Sequence, residues 1–457
     1  MPFSALAGPP TVTHSSTAGT VASTASTVTF TSRTVVSTAT STTSSSAPSA
    51  TSSAAFNTTF AYGTNPVRGV NLGGWFVLEP WITPSIFQNT NNTAIVDEYT
   101  FGQMLDADAA AAILQDHWQT WITEQDFADI AAAGLNHVRI PLGYWSVPLT
   151  SADTNQSTSV APYTPGAWPY FLQALTWARN NSIHVVVDLH GAPGSQNGYD
   201  NSGQHTNSPA WAASPANISR TLDTIAFLAR TVGALVDVIE LLNEPAAFTS
   251  AAFADTLRQY WSDGYGAVRA QDDGVKVMIG NGFLPLTTWS DFLIYPGSQG
   301  VFMDYHEYQI FSDDQLSRSL AEHITFACQI STTLSSFASH NLYTIMGEWS
   351  NAPTDCAIWL NGRGVGALWD GTKGGGQAHG ACANWTGSAA GFSAGYRTFL
   401  GQYWQAQVEA AEAVQGWIFW TWKAENADEW SYQAGLAGGW IPQDPANRTY
   451  PTICTNT

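Results

Sequence analysis

Two glutamates stand where apolar runs give out. "VIELLNEPAAF" (238–248) breaks off in Asn243-Glu244-Pro245, and "LYTIMGEWS" (342–350) carries Glu348. A carboxylate at such a place is costly to bury unless it is paired or used. Two carboxylates facing each other suit the cleavage of a glycosidic bond. One protonates the leaving oxygen, and the other attacks the anomeric carbon or activates water. A single Glu at a strand end more often caps a helix or joins an ion pair. The two together, in Asn-Glu-Pro and Gly-Glu-Trp settings, favour the chemical reading.

Such a pair needs elements that bring positions a hundred residues apart to one place. Short apolar runs recur at 67–75, 137–145, 184–191, 238–245, 275–283, 301–310, 342–350 and 416–423. Their continuity suits strands buried on both faces of a parallel sheet. Helical patterns fall between them at 123–136, 168–182, 221–232, 251–271 and 395–414. Thr123 with the acids after it reads as a helix start, and Gly134 as its stop. Eight strands alternating with helices predict an α/β fold, a (β/α)8 TIM barrel with enlarged loops. A doubly wound open sheet is the alternative. It normally carries Gly-x-Gly-x-x-Gly after its first strand, and "NLGGW" lacks that spacing.

In a barrel, functional side chains collect at the C-terminal strand ends. Those ends hold Glu79, Arg139, His190, Asn243 with Glu244, His306 with Tyr308, Glu348 and Trp420. Strands 4 and 7 lie across the mouth from each other, so a sugar ring fits between Glu244 and Glu348. Arg139 and Tyr308 are placed to keep Glu348 ionised, and Asn243 to bind a 2-hydroxyl. Glu244 then needs a raised pKa, which predicts an acidic pH optimum. Trp420 offers a flat face to a pyranose. His190 and His306 suit a structural role as well as sugar contact. The acids and histidines are dispersed, and "HEY" is not His-Glu-x-x-His, so neither metal nor cofactor is expected.

Composition agrees with a neutral substrate. Of 457 residues, 35 are acidic and only 15 are Lys or Arg, while 20 are Trp. A net charge of −20 argues against nucleic acid and anionic membranes as partners. The Trp count suits a sugar polymer, although much of it belongs to core packing. No run is long and apolar enough to span a bilayer, so no direct membrane insertion is expected. Residues 1–60 are mostly Ser, Thr, Ala and Val. They read as a disordered, O-glycosylated stalk or linker ahead of a catalytic domain at 61–457. "MPFSALAGPP" lacks a basic start and an apolar stretch, so a signal or anchor is expected upstream. Sequons at Asn57, Asn91, Asn155, Asn180, Asn217, Asn384 and Asn447, with four cysteines, point to a secreted or cell-wall protein. Four cysteines allow three pairings, and spacing does not choose among them.

The motifs "RGVNLGGWFVLEPWITPSIF", "HWQTWITEQDFADIAAAGLNHVRIPLGYW", "VVVDLHGAPGSQNGYDNSG", "LLNEP", "GEWS" and "WIFWTWK" appear in this order. From about residue 66 onward the chain resembles the fungal exo-1,3-β-glucanases of glycoside hydrolase family 5. The resemblance implies a retaining glucan 1,3-β-glucosidase acting at non-reducing ends of β-glucan, with Glu244 as acid/base and Glu348 as nucleophile. It carries over Glu79, Arg139, His190, Asn243, His306, Tyr308 and Trp420 as sugar-pocket residues, with Asn201 among the substrate-binding positions. It also implies an aromatic clamp at the entrance, Tyr199 and Phe311, where the first position is usually Phe. The implied disulfides are Cys328–Cys454 and Cys356–Cys382, and a monomer is expected. A β-1,6-glucanase, a β-glucosidase acting on glycolipids, and an inactive glucan-binding wall protein are the competing readings.

Overall fold

A computed structural model describes residues 59–455. The Ser/Thr-rich segment read at 1–60 lies outside these residues, apart from its last two. Eight parallel strands close into a barrel in sequence order, with β1 pairing β8. They are β1 (Val67–Asn71), β2 (His137–Gly143), β3 (His184–Gly191), β4 (Val238–Glu240), β5 (Lys276–Gly280), β6 (Val301–Glu307), β7 (Tyr343–Trp349) and β8 (Gly416–Phe419). Every residue of β2 and β3 is buried, as a sheet wrapped by helices requires.

The five helical patterns are helices, at Glu124–Ala132, Trp168–Asn180, Pro215–Val232, Ala251–Arg269 and Ala394–Glu412. Asp126 accepts from the backbone N–H and the hydroxyl of Thr123, which closes the expected capping box. Gly134 adopts φ +73° just past that helix. Two long helices carry no expectation from the sequence, Ala107–Thr120 and Leu320–Ala338. The first is alanine-rich and the second is rich in Ser and Thr, so the apolar stripe is diluted. The runs at 238–245 and 416–423 overshoot their strands by several residues, because the chain keeps its apolar character after leaving the sheet. Cys328–Cys454 and Cys356–Cys382 are both bonded, as the resemblance implies. Among the described residues no helix is long and apolar enough to cross a membrane.

The barrel interior is layered. At its N-terminal end Val67, Val186, Val238, Met278, Phe302, Ile345 and Ile418 form an apolar plug, with Phe60 and Tyr62 packed onto it. Phe60 sets its ring edge against both His137 and His184. Tyr62 Oη lies 3.0 Å from His137 Nε2, and His184 Nδ1 lies 2.8 Å from Asp237. Toward the other end the interior turns polar, with Asn71, Arg139, Asp188, Glu240 and Asp304 all buried.

Two strand pairings slip by one residue. Leu142 faces Leu189 but Gly143 faces Gly191, so His190 is the extra residue in β3. Asp304 faces Ile345 but His306 faces Glu348, so β7 also carries one extra residue. Such bulges re-aim side chains, and both occur beside residues expected in the site.

Candidate active site

Arg139 is the hub. It projects from β2 into the barrel, and no part of it reaches solvent. Its Nε donates to Glu240 at 2.7 Å and its Nη1 to Glu348 at 2.9 Å and Asn71 at 3.0 Å. Its Nη2 donates to Asn243 Oδ1 at 2.8 Å and lies 3.1 Å from Asp188. A guanidinium can only donate, so it fixes the Asn243 amide with its NH2 group facing away. That group lies 3.4 Å from His190 Nε2. His190 Nδ1 meets Asp188 on its other side. Burial, then the nearby Arg139, holds His190 well below its ordinary pKa. It is therefore neutral, donating through Nδ1 and accepting through Nε2.

Glu348 and Glu244 reach the mouth by different means. Glu348 sits in β7 at the bulge, and its oxygens meet Arg139 Nη1 and Tyr308 Oη, the latter at 3.0 Å. Glu244 lies beyond β4 at φ +42°, a left-handed conformation that costs a non-glycine residue on the order of 1 kcal/mol. Asn201 Nδ2 donates to its Oε2 at 3.0 Å, and His306 Nδ1 lies 2.8 Å from its Oε1. One oxygen of each glutamate and a His306 ring nitrogen all lie within 4.8 Å of one another.

The electrostatics correct one expectation. Burial pushes Glu348 up to about 8, with Glu244 adding to the rise and His306 and Arg139 opposing it. Glu244 lies below its ordinary value despite burial, because His306 and Asn201 donate to it. These two directions run opposite to the expected order of Glu244 raised and Glu348 ionised. The cause is His306, which touches both acids. Hydrogen bonding still favours an ionised Glu348. Arg139 and Tyr308 donate to its two oxygens, as a carboxylate requires. The three groups titrate as a unit.

The rim completes the pocket. Glu79 Oε2 accepts from Trp81 Nε1 at 2.9 Å, while its buried Oε1 finds no protein donor among the described residues. Burial, then Asp200, raises its pKa well above the ordinary value. Trp420 follows β8 directly and lies parallel to His190, ring centres 5.5 Å apart. Tyr199 and Phe311 are nearly half exposed. Every expected residue except this exposed pair and Trp420 therefore hydrogen-bonds another polar group of the pocket. Glu240, Asp304 and His306 also lie within 4.8 Å of one another, as metal ligands would. Arg139 Nε, however, already sits 2.7 Å from Glu240 and 4.0 Å from Asp304, where a cation would be repelled.

Sequence reasoning missed Asp188, Glu240, Asp304, Asp200 and Trp81. The first three had a signal. Each is an acid inside an apolar run, in "VVVDLHG", "VIELL" and "VFMDYHE", and the burial argument that singles out Glu244 applies to them equally.

The family model for cellulases of glycosyl hydrolase family 5 matches residues 105–362. The glucan 1,3-beta-glucosidase of Blumeria graminis is 42% identical over 403 residues, covering 86% of this chain and 91% of that protein. A probable glucan 1,3-beta-glucosidase A of Aspergillus niger is 41% identical over 406 residues, covering 87% and 92%. Among solved structures, the rutinosidase from Aspergillus niger aligns over 84% of this chain and all of its own, with a TM-score of 0.64 at 19% identity. At that identity the likeness concerns the fold.

Proposed function

The chain belongs to glycosyl hydrolase family 5, and from that premise we propose that it is a retaining, exo-acting glucan 1,3-β-glucosidase. It releases glucose from non-reducing ends of β-1,3-glucans by double displacement. The observation that carries this is the approach of Glu244 and Glu348 oxygens to within 4.8 Å. Such closeness of single oxygens agrees with the separation of about 5–5.5 Å between the carboxyl groups of retaining enzymes. The linkage rests on relatives about two-fifths identical over most of the chain.

In this reading the Glu348 carboxylate attacks the anomeric carbon while Glu244 protonates the departing oxygen. Arg139 and Tyr308 hold Glu348 in line. Glu244 then removes a proton from the water that releases glucose. The NH2 of Asn243 has a second proton beyond the one turned to His190, and it is offered to the 2-hydroxyl, where hydrogen bonding strengthens in the transition state. The unpartnered Glu79 Oε1 accepts from a hydroxyl of the terminal sugar, a contact that suits action at chain ends. Trp420 supplies the flat wall, and Tyr199 and Phe311 flank the next sugar. Secretion into an oxidising environment agrees with the two disulfides.

The test is a linkage-resolved panel of 1,3-, 1,4- and 1,6-linked glucans, with the product anomer followed by NMR. First-formed β-glucose from laminarin supports the reading. α-Glucose as the first product overturns the retaining mechanism, and faster turnover of the 1,6-linked polymer overturns the linkage.

A further inference from the structure

His306 is gripped by carboxylates at both ring nitrogens. Its Nδ1 lies 2.8 Å from Glu244 and 3.4 Å from Glu348, while its Nε2 lies 3.1 Å from Asp304. Asp304 belongs to β6, two residues before His306, so both side chains point into the barrel. It is fully buried beneath the sugar pocket. Room for it is made by Gly347, the residue before Glu348. A Cβ at Gly347 would overlap the Asp304 carboxylate. The glycine of the Gly-Glu-Trp motif thus serves a side chain on the neighbouring strand.

We infer that Asp304 is a positioning residue for the acid/base, fixing one ring proton of His306 on Nε2 so that Nδ1 and Glu244 share the proton that is transferred. This rests on the reading of Glu244 given above. An ionised Asp304 can only accept, so Nε2 must donate to it. Nδ1 is left turned toward Glu244 with one further proton between them. When that proton passes to the departing oxygen, the old C–O bond breaks with its electron pair on that oxygen. The attacking water returns a proton to the Nδ1–Glu244 pair in the second step.

The charges around His306 come from several strands. Glu240 and Glu244 face it from the β4 end, Glu348 from β7, Arg139 from β2, and Asp188 and His190 from β3. His306 lies well above its ordinary pKa despite burial, chiefly through Glu348 and Asp304. Asp304 lies below its own, held there by His306 and then Arg139, although burial opposes them. Burial pushes the neighbouring Glu240 well above its ordinary value, so it adds little negative charge beside Asp304. Removing the negative charge at 304 therefore lets the shared proton leave more easily.

The experiment compares the pH dependence of kcat/KM on laminarin oligosaccharides for the wild type, Asp304→Asn and Glu244→Gln. In parallel, the His306 ring nitrogens of the wild type are followed by 15N NMR. The basic limb of Asp304→Asn is expected to fall by about 1 pH unit or more, as loss of a nearby buried charge dictates. The wild type should keep a proton on Nε2 throughout the active range. An unmoved basic limb overturns the inference. So does an unprotonated Nε2 in the active wild type, a readout that stands even if Asp304→Asn does not fold. Near-normal activity of Glu244→Gln would instead defeat the reading beneath it, which keeps the two failures apart.

Discussion

At the N-terminal end of the barrel His137 lies under Phe60 and Tyr62, while at the other end His306 lies among three carboxylates. Both sit on barrel strands and are largely shielded from solvent. Burial, then the neighbouring His184, holds His137 well below its ordinary pKa. Glu348 and Asp304 hold His306 well above its own. The first accepts a hydroxyl and helps close the barrel, and the second carries charge to the reaction. Residue type does not separate them. The difference lies in what the rest of each layer contributes: valine, isoleucine and phenylalanine rings at one end, and acids organised by one guanidinium at the other.

The comparison breaks most severely at the catalytic pair. Glu348→Ala should lower turnover on laminarin by about 10⁴-fold or more, and Glu244→Gln by about 10²–10⁴-fold, with thermal stability unchanged or raised. Steady-state rates and melting curves check both. Azide should rescue the Glu348→Ala variant and yield an inverted glycosyl azide. Recovery without azide would remove Glu348 from the nucleophile's role.

Arg139→Met comes next, because it strikes stability and activity together. It leaves Asp188, Glu240 and Glu348 without their cation, which should cost about 3–5 kcal/mol. Denaturant unfolding at two pH values gives a sharper reading. The loss should be smaller at pH 4.5 than at pH 7.5, because the orphaned acids take up protons.

Phe60→Ala tests the opposite end. Its ring is only partly buried, so a loss of about 1–2 kcal/mol is expected. The value of kcat should stay within about twofold of the wild type, since no reacting group is near. A large fall in kcat with intact stability would mean that the two ends are coupled.

The smallest effect is a slope. Glu98, Asp188, Asp200 and Glu307 are raised by burial to about 7, and Glu429 to about 8. In each case the folded state binds a proton more tightly than the unfolded chain. The stability is therefore fully present below about pH 4 and is lost as pH rises toward 7–8. His117 and His323, lowered to about 4 by burial, act in the opposite sense between pH 4 and 6.5. Glu79, Glu240 and Glu348 are raised as well, and His137 and His190 lowered, so eight acids against four histidines predict a lower melting temperature at pH 7.5 than at pH 5. Calorimetry across that range decides it, and a rising trend would contradict the assigned burial.

The strands, their order and most of the pocket were legible in the sequence, because continuous apolar runs that end in polar residues have few other uses. Glu244, Glu348, Arg139 and His306 could be placed on one rim without coordinates. What escaped is of two physical kinds. Asp188, Glu240 and Asp304 sit within the runs and looked like interruptions, although a buried charge implies a partner. The bulges at His190 and before Glu348 escaped because pairing between strands distant in sequence leaves no local trace. The inverted order of the two acids escaped because it depends on the distance from His306 to both.

The slip in β7 has a genetic corollary. Side chains alternate along a strand, so parity decides which of them face the interior. Losing a single codon between those for Ile345 and Glu348 would remove the extra residue and restore regular pairing with β6. Ile345 and Glu348 would then stand two residues apart on one face, so Glu348 would still lie opposite His306 and face the interior. A one-residue insertion at this point is therefore tolerated: the bulge absorbs it, and the acid keeps its place in the mouth.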